Sequence, residues 1–444
     1  MQRVLLLMPA TSYRANDFLD AARRLGVEVV VGSNHRHVLE EFSGGRTFAL
    51  RFRPIKKNVL QIVAHAGRYP VSAIIGTDDE TVELAAAASK ALGLPHNSIE
   101  SVAAAQNKYR FRCVLAAAGI HSPWFKLISL EEDQVAAAAA SAVYPCVLKP
   151  LSLSASRGVI RADNEAAFVA ASSRIADILQ KAYGRTDPHR TAHILAEAFI
   201  PGREVALEGL LYAGRLEVLA LFDKPDPLDG PYFEETIYVT PARLTGSQQR
   251  AIVSETEQAA SALGLKDGPI HAELRINDRG AWMIELAARS IGGLCSRTLS
   301  FVHDVKLEEL ILRHALGLPT ASLERDQSAA GVMMIPIPRA GRLHSVAGLE
   351  AASCVPGIDD VLVTVPIGDM IVPLPEGDRY LGFIFARAKE SSEVEWALRT
   401  AHERLKFEIL PENPLTADQY SMRFRERTLP ARHGATIPEG YDPW

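Results

Sequence analysis

Ile270-His271-Ala272-Glu273-Leu274-Arg275-Ile276, then Asn277-Asp278-Arg279-Gly280, then Ala281-Trp282-Met283-Ile284-Glu285-Leu286: polar and apolar residues alternate on both sides of a turn. A period of two marks a half-buried strand. The central Asn-Asp-Arg-Gly supplies turn chemistry, with Gly280 suited to a left-handed position. The stretch predicts an antiparallel hairpin with a three-residue loop ending in a glycine bulge. That register sets Glu273 opposite Glu285, on the face not occupied by Leu274, Ile276, Trp282 and Ile284. Like charges directly opposite one another weaken a sheet. Two facing glutamates with no lysine between them therefore want a cation. Hard carboxylate oxygens suit Mg²⁺, an ion that keeps company with substrate phosphates. Arg289, just beyond Glu285, is placed to meet the same anion. The competing reading is a solvated surface hairpin with Arg275 or Arg289 as a salt-bridge partner.

Upstream, Pro145-Cys146-Val147-Leu148-Lys149-Pro150 is an apolar strand closed by a lysine, whose charge points at whatever lies beyond the strand end. Ser152-Leu153-Ser154-Ala155-Ser156-Arg157-Gly158 follows. Small residues let backbone N–H groups and hydroxyls close around phosphate oxygens, as nests do; a flexible connection is the plain alternative. No Gly-Lys-Ser/Thr follows, so this is not a Walker loop. Lys108 lies beside Arg110 and Arg112 on a helix expected over 98–118, where a lone lysine is ordinarily surface charge. Glu197 and Glu204 bracket a Pro201-Gly202 turn that either borders a nucleotide or only turns the chain. Thr77-Asp78-Asp79-Glu80 closes a parallel strand, where open α/β sheets bind ligands, or else caps the following helix.

The first hundred residues alternate strand (4–8, 27–31, 48–52, 73–76) with helix (15–25, 58–68, 81–92), which implies a parallel, doubly wound sheet. Pro9-Ala10-Thr11-Ser12 stands where a dinucleotide fingerprint would need glycines. Two strand-rich units follow, then a mixed region from 331 with strands near 332–337, 361–365 and 383–388 and a helix near 393–405. The expected architecture is α/β and α+β, multidomain: 1–105 an N-terminal α/β domain, 106–320 a central domain with a lid over about 120–200, 321–410 an α+β domain, and 411–444 a Pro-, Arg- and Gly-rich tail. At 444 residues the chain is too long for one ordinary core, and 48% apolar with 23% charged residues is globular composition. A net charge of −5 with only short basic clusters argues against nucleic acid. The four cysteines are scattered without a Cys-x-x-Cys pair, as suits reduced thiols in a cytoplasm. No apolar run approaches the roughly 18 residues of a membrane span.

Taken together, the order Lys, Lys-Pro, Ser/Gly loop, Glu-x-x-Ile-x-Gly-x-Glu, Glu, Glu-x-x-x-Arg resembles the ATP-grasp superfamily and, within it, the L-amino acid ligases that make dipeptides. The resemblance runs over about 1–410. It implies that Lys108 and Lys149 contact phosphates, and that Ser154, Ser156 and Gly158 lie in a mobile loop over them. It implies that Glu197, Ala198 and Ile200 form the hinge against adenine, with Glu204 on the ribose hydroxyls. Glu273 and Glu285 would hold Mg²⁺ (or Mn²⁺), Arg289 would face an acyl phosphate, and Gly292 and Gly293 would form backbone surface near the substrate. Two departures stand out. Ala287 replaces an asparagine common among the metal ligands, and Tyr238 stands where a histidine is common on the amine side.

The implied activity is ATP-dependent amide formation between a carboxylate and an amine through an acyl phosphate, releasing ADP and phosphate. Amino acids are the expected substrates, and the protein is expected as a monomer or homodimer. Glu235 is the candidate for holding the ammonium or taking its proton, with a structural salt bridge as the alternative. Two other classes compete: a biotin carboxylase-like acyl-phosphate enzyme, and a nucleotide-binding regulator without catalysis.

Overall fold

The computed structural model describes residues 2–35, 43–184, 187–319 and 322–411; the expected tail, from 412 on, lies outside them. Four parallel strands open the fold, in spatial order Thr47–Ala49, Glu28–Ser33, Arg3–Leu7, Ala73–Gly76. The run Val4 to Leu7 is apolar throughout because both sheet faces are covered. Val4 and Leu6 pack with Phe18 and the helix Leu307–Ala315, while Leu5 and Leu7 pack with Ile62 and Leu84. The helix Ala15–Leu25 ends at Gly26, whose φ of 64° is the left-handed cap that glycine favours.

Four antiparallel strands between residues 125 and 198 form a second sheet, ordered Phe125–Ser129, His193–Ala198, Cys146–Pro150, Ile160–Ala162. The helices Glu132–Ser141 and Glu165–Tyr183 back it, with Leu148, Phe168, Ile175 and Ala196 at the centre of its own core.

The largest sheet has eight antiparallel strands. It runs Gly280–Ala287, Gly268–Asn277, Arg203–Tyr212, Arg215–Asp223, Ile237–Thr240, Ala329–Ile335, Gly382–Ala388, Ile358–Val363. Its last three strands belong to the C-terminal region, joined to the centre by the pairing of Ile237–Thr240 with Ala330–Met333. Three C-terminal strands therefore extend the central sheet, while Gly341–Ala347 pairs with Met370–Ile371 and Lys406–Leu410 in a small sheet of their own.

Two local expectations need correction. The helix expected over 98–118 is two helices, Ile99–Gln106 and Lys108–Ala117, broken at Asn107. Asn107 caps the second by accepting from the Arg110 N–H at 3.0 Å. The break puts Lys108 at a helix start facing inward instead of on a solvated flank.

The hairpin also closes differently. Asn277 pairs Gly280 directly, leaving Asp278 and Arg279 as a two-residue turn. Leu274 then pairs Met283, and Arg275 pairs Trp282. A one-residue slip flips every side chain to the other face. Ala281 and Met283 accordingly join Leu274 in one core cluster, while Trp282 is buried against His121 and Ile284 lines the cavity. A bulge between Glu273 and Leu274 inserts Ile284 and restores the register, so that Glu273 does stand opposite Glu285.

Candidate active site

A cavity of about 900 Å³ lies where the three sheets meet. The ends of the parallel strands (Pro9, Thr77, Asp78), the four-stranded sheet, the hairpin and residues 378–380 all reach its wall. Of the candidate residues, Lys108, Lys149, Ser154, Ser156, Glu197, Ala198, Ile200, Glu204, Glu235, Glu273, Glu285, Arg289, Gly292 and Gly293 line it. Gly158 does not. Its N–H is bonded to Pro375 O at 2.9 Å, and with φ of 74° a Cβ there would meet Pro150 Cγ at 2.7 Å.

At one end, Glu197 is buried between Lys149 and Arg112, with Arg112 Nε 2.7 Å from its carboxylate. Burial alone would raise this carboxyl's pKa, but Arg112 and Lys149 outweigh it and hold the group at about 2. Arg112 also donates to Met283 O at 2.6 Å and Ile284 O at 3.3 Å, which locks the bulge to the four-stranded sheet. Arg275 Nε bonds Glu204 at 3.0 Å and Arg275 Nη1 bonds Ile200 O at 2.9 Å, while its guanidinium lies over Phe199 at 4.9 Å and Phe233 at 5.9 Å. The result is a flat, partly aromatic slot beside backbone groups of 198–200.

The carboxylate pair is not bare, contrary to the sequence expectation. Lys108 Nζ sits 3.0 Å from Glu285 and Lys224 Nζ 3.4 Å from Glu273. Lys224 is buried, 2.9 Å from Glu204 and in contact with Glu235 as well. Oxygens of Glu204, Glu235 and Glu273 all fall within 4.8 Å of one another. Such a cluster is a cation site by chemistry, and the ammonium of Lys224 already fills that role. Glu285 and Glu273, paired across the strands and 35% and 21% exposed, present hard oxygens to the cavity and fit a divalent ion shared with a phosphate. Glu235 accepts from Tyr238 Oη at 3.0 Å. Burial and the nearby Glu273 push its pKa up to about 7, against the pull of Lys224. His271 bonds Glu208 at 3.1 Å and lies 3.5 Å from Glu273. Burial disfavours its charge, but those two carboxylates prevail and raise it to about 9.

Arg289 pairs with Asp79 through two bonds, Nε at 2.8 Å and Nη2 at 2.7 Å. Asp78 meanwhile caps the helix Asp79–Leu92, so Thr77-Asp78-Asp79-Glu80 both caps and borders the cavity. Sequence reasoning passed over Lys224, Arg112, Glu208 and Arg14. For Lys224 a signal existed: Leu219-Ala220-Leu221-Phe222-Asp223-Lys224-Pro225 repeats the apolar-strand, Lys-Pro ending of Lys149.

An ATP-grasp N-terminal domain model matches residues 19–96, an ATP-grasp domain model 142–298, and a model for L-amino acid ligase C-terminal domain 2 matches 333–409. The crystal structure of L-amino acid ligase from Bacillus licheniformis superposes with a TM-score of 0.79 at 25% identity, over 93% of this chain and 99% of that one. The chain belongs to the ATP-grasp superfamily. Alanine–anticapsin ligase of Bacillus subtilis is 27% identical over 273 residues, 59% of this chain and 57% of that protein. Dapdiamide A synthase of Enterobacter agglomerans is 28% identical over 297 residues, 65% of this chain and 68% of its own length. ATP-grasp enzymes use ATP and divalent ions, and this ATP-grasp chain carries basic and acidic groups suited to both. Among the described residues no helix is long and apolar enough to cross a membrane.

Proposed function

We propose that this ATP-grasp chain is a carboxylate–amine ligase that joins two amino acids, or an amino acid and a related acid, with release of ADP and phosphate. The observation that carries this reading is the placing of Arg289 in one cavity with Lys108, Lys149 and the Glu273–Glu285 pair. A carboxylate resists an amine because its charge deactivates the carbonyl. Transfer of the γ-phosphoryl group of ATP onto one carboxylate oxygen breaks the β–γ bridge and gives an acyl phosphate; the amine then displaces phosphate. Phosphoryl transfer needs in-line positioning and charge neutralisation more than a base.

In this reading the slot of Glu197, Ala198, Ile200 and Phe233 takes adenine, and Glu204 the ribose hydroxyls. Lys108 and Lys149 lie along the phosphates, covered by Ser154 and Ser156. Mg²⁺ (or Mn²⁺) bound by Glu273 and Glu285 would screen the phosphate oxygens. Arg289 holds the charge of the acyl phosphate and of the tetrahedral adduct, with Gly292 and Gly293 as backbone surface beside it. Glu235, with a pKa of about 7, suits the task of taking the proton that the acceptor's ammonium must lose for its nitrogen to attack. The region 120–200 acts as the lid of a central domain, between an N-terminal domain to about 105 and a C-terminal one from about 321.

The test is a matrix of amino-acid pairs with Mg-ATP, following ADP and phosphate release and identifying products by mass spectrometry. Amine-dependent ADP release with a condensed product supports the reading. Bicarbonate-dependent release would favour a carboxylase, AMP would indicate adenylation, and no turnover with any pair would favour a regulator.

A further inference from the structure

Among the described residues, six lysine and arginine side chains line the cavity: Arg14, Lys108, Lys149, Arg275, Arg289 and Arg379. Five are already neutralised at close range. Arg14 is 3.2 Å from Glu308, Lys108 3.0 Å from Glu285 and Arg275 3.0 Å from Glu204, while Lys149 contacts Glu197 and Arg289 is doubly bonded to Asp79. Arg379 differs. Among the described residues the nearest carboxylate to it is Asp369 at 3.9 Å, and its Nη2 donates to Met370 O at 3.0 Å. Its side chain is 45% exposed, at the cavity mouth.

The segment carrying Arg379 is held firmly against the four-stranded sheet. Arg174 grips Glu376 through two bonds of 2.6 and 2.9 Å, Arg157 meets Asp378 at 3.1 Å, and the Gly158 N–H bonds Pro375 O. Tyr380 follows directly and runs inward. It packs on the apolar cluster that includes Phe383 and Tyr238, and the Tyr238 hydroxyl donates to Glu235 at 3.0 Å. The wall thus passes from a guanidinium at the mouth, over Tyr380, to Glu235 deeper in. An α-amino acid fits that polarity, with its carboxylate outward and its amine inward. A carboxylate is matched by the planar fork of an arginine.

We propose that Arg379 binds the carboxylate of the acceptor amino acid and so selects amino acids over simple amines. The inference rests on the ligase reading above.

The experiment compares wild type, Arg379→Ala and Arg379→Lys, using the best pair from the matrix and the carboxamide of the same acceptor. Arg379→Ala is expected to raise KM for the amino-acid acceptor about tenfold or more, with kcat changed less than about threefold, the scale of one charge-assisted contact. KM for ATP and for the donor should hold, the carboxamide should be used equally by both enzymes, and Arg379→Lys should recover part of the loss. An unchanged acceptor KM in Arg379→Ala overturns the proposal, as does an equal loss with the carboxamide or a shift confined to the donor. A wild-type enzyme without amine-dependent turnover overturns the ligase reading and this inference with it; a working wild type with an indifferent Arg379→Ala overturns this inference alone.

Discussion

Arg289 and Asp79, 210 positions apart in the chain, are joined by two hydrogen bonds of 2.8 and 2.7 Å across the boundary between the hairpin's trailing loop and the parallel sheet. The side chains are only 14% and 29% exposed. The carboxylate fixes the plane of the guanidinium on the cavity wall before any substrate arrives.

Replacing Arg289 by alanine should lower kcat by about 10²–10³, the usual loss for one donor to a developing anion. Nucleotide affinity, measured by calorimetry, should change little. Asp79→Asn keeps the shape but loses the charge, and should cost roughly tenfold in kcat. Wild-type turnover in Arg289→Ala would remove the residue from the reaction.

Arg112→Ala should unfold the protein more easily. The guanidinium is 1% exposed and serves Glu197 and two carbonyls of the hairpin. Breaking a buried pair costs about 3–5 kcal/mol, and Lys149 still attends Glu197, so a loss of about 3 kcal/mol in urea melts is expected. A shift below about 1 kcal/mol would mean that the pair is structurally idle.

Glu197 should leave its mark on acid stability. Its carboxyl is held down at about 2 in the fold, against an ordinary 4.5. The stabilisation is therefore fully present above pH 4.5 and drains away as pH falls toward 2. Carbon-detected titration should show Glu197 still ionised at about pH 3.5; a midpoint near 4.5 would contradict the buried pairing with Arg112 and Lys149.

Lys224→Met should leave Glu204, Glu235 and Glu273 without their shared ammonium, at a cost of about 3–5 kcal/mol. Because their oxygens lie within 4.8 Å of one another, Mn²⁺ should then raise the melting temperature of the variant more than that of the wild type. An equal response in both would show that the three carboxylates do not act as one cation site.

The clasp of Arg174 on Glu376 is 42% and 27% exposed, so its worth to global stability is about 0–1 kcal/mol. Its local effect is larger, since it holds residues 373–378 against the serine loop. Glu376→Ala should leave the melting temperature almost unchanged and accelerate amide exchange over 152–162. Unchanged exchange there would mean that Arg157 and Pro375 suffice.

The chain itself dictated whatever depends on neighbours in sequence. Continuous apolar runs foretell the parallel strands, alternation foretells the hairpin, and the ordered Lys-Pro, serine loop, paired glutamates and arginine foretell a common cavity. Glu273 does face Glu285, although through a two-residue turn and a compensating bulge; turn length and bulge position depend on what packs behind, here Met283 and Leu286 against the helix Gly246–Leu263. Only the tertiary structure decided which charges meet. A lysine or arginine reads the same in sequence whether solvated or buried, so the enclosure of Lys224 by three carboxylates, the inward turn of Lys108 at the Asn107 break and the union of Arg289 with Asp79 were legible only once distant segments were brought together. Charge pairing is set by distance in space, and the sequence carries distance only along the chain.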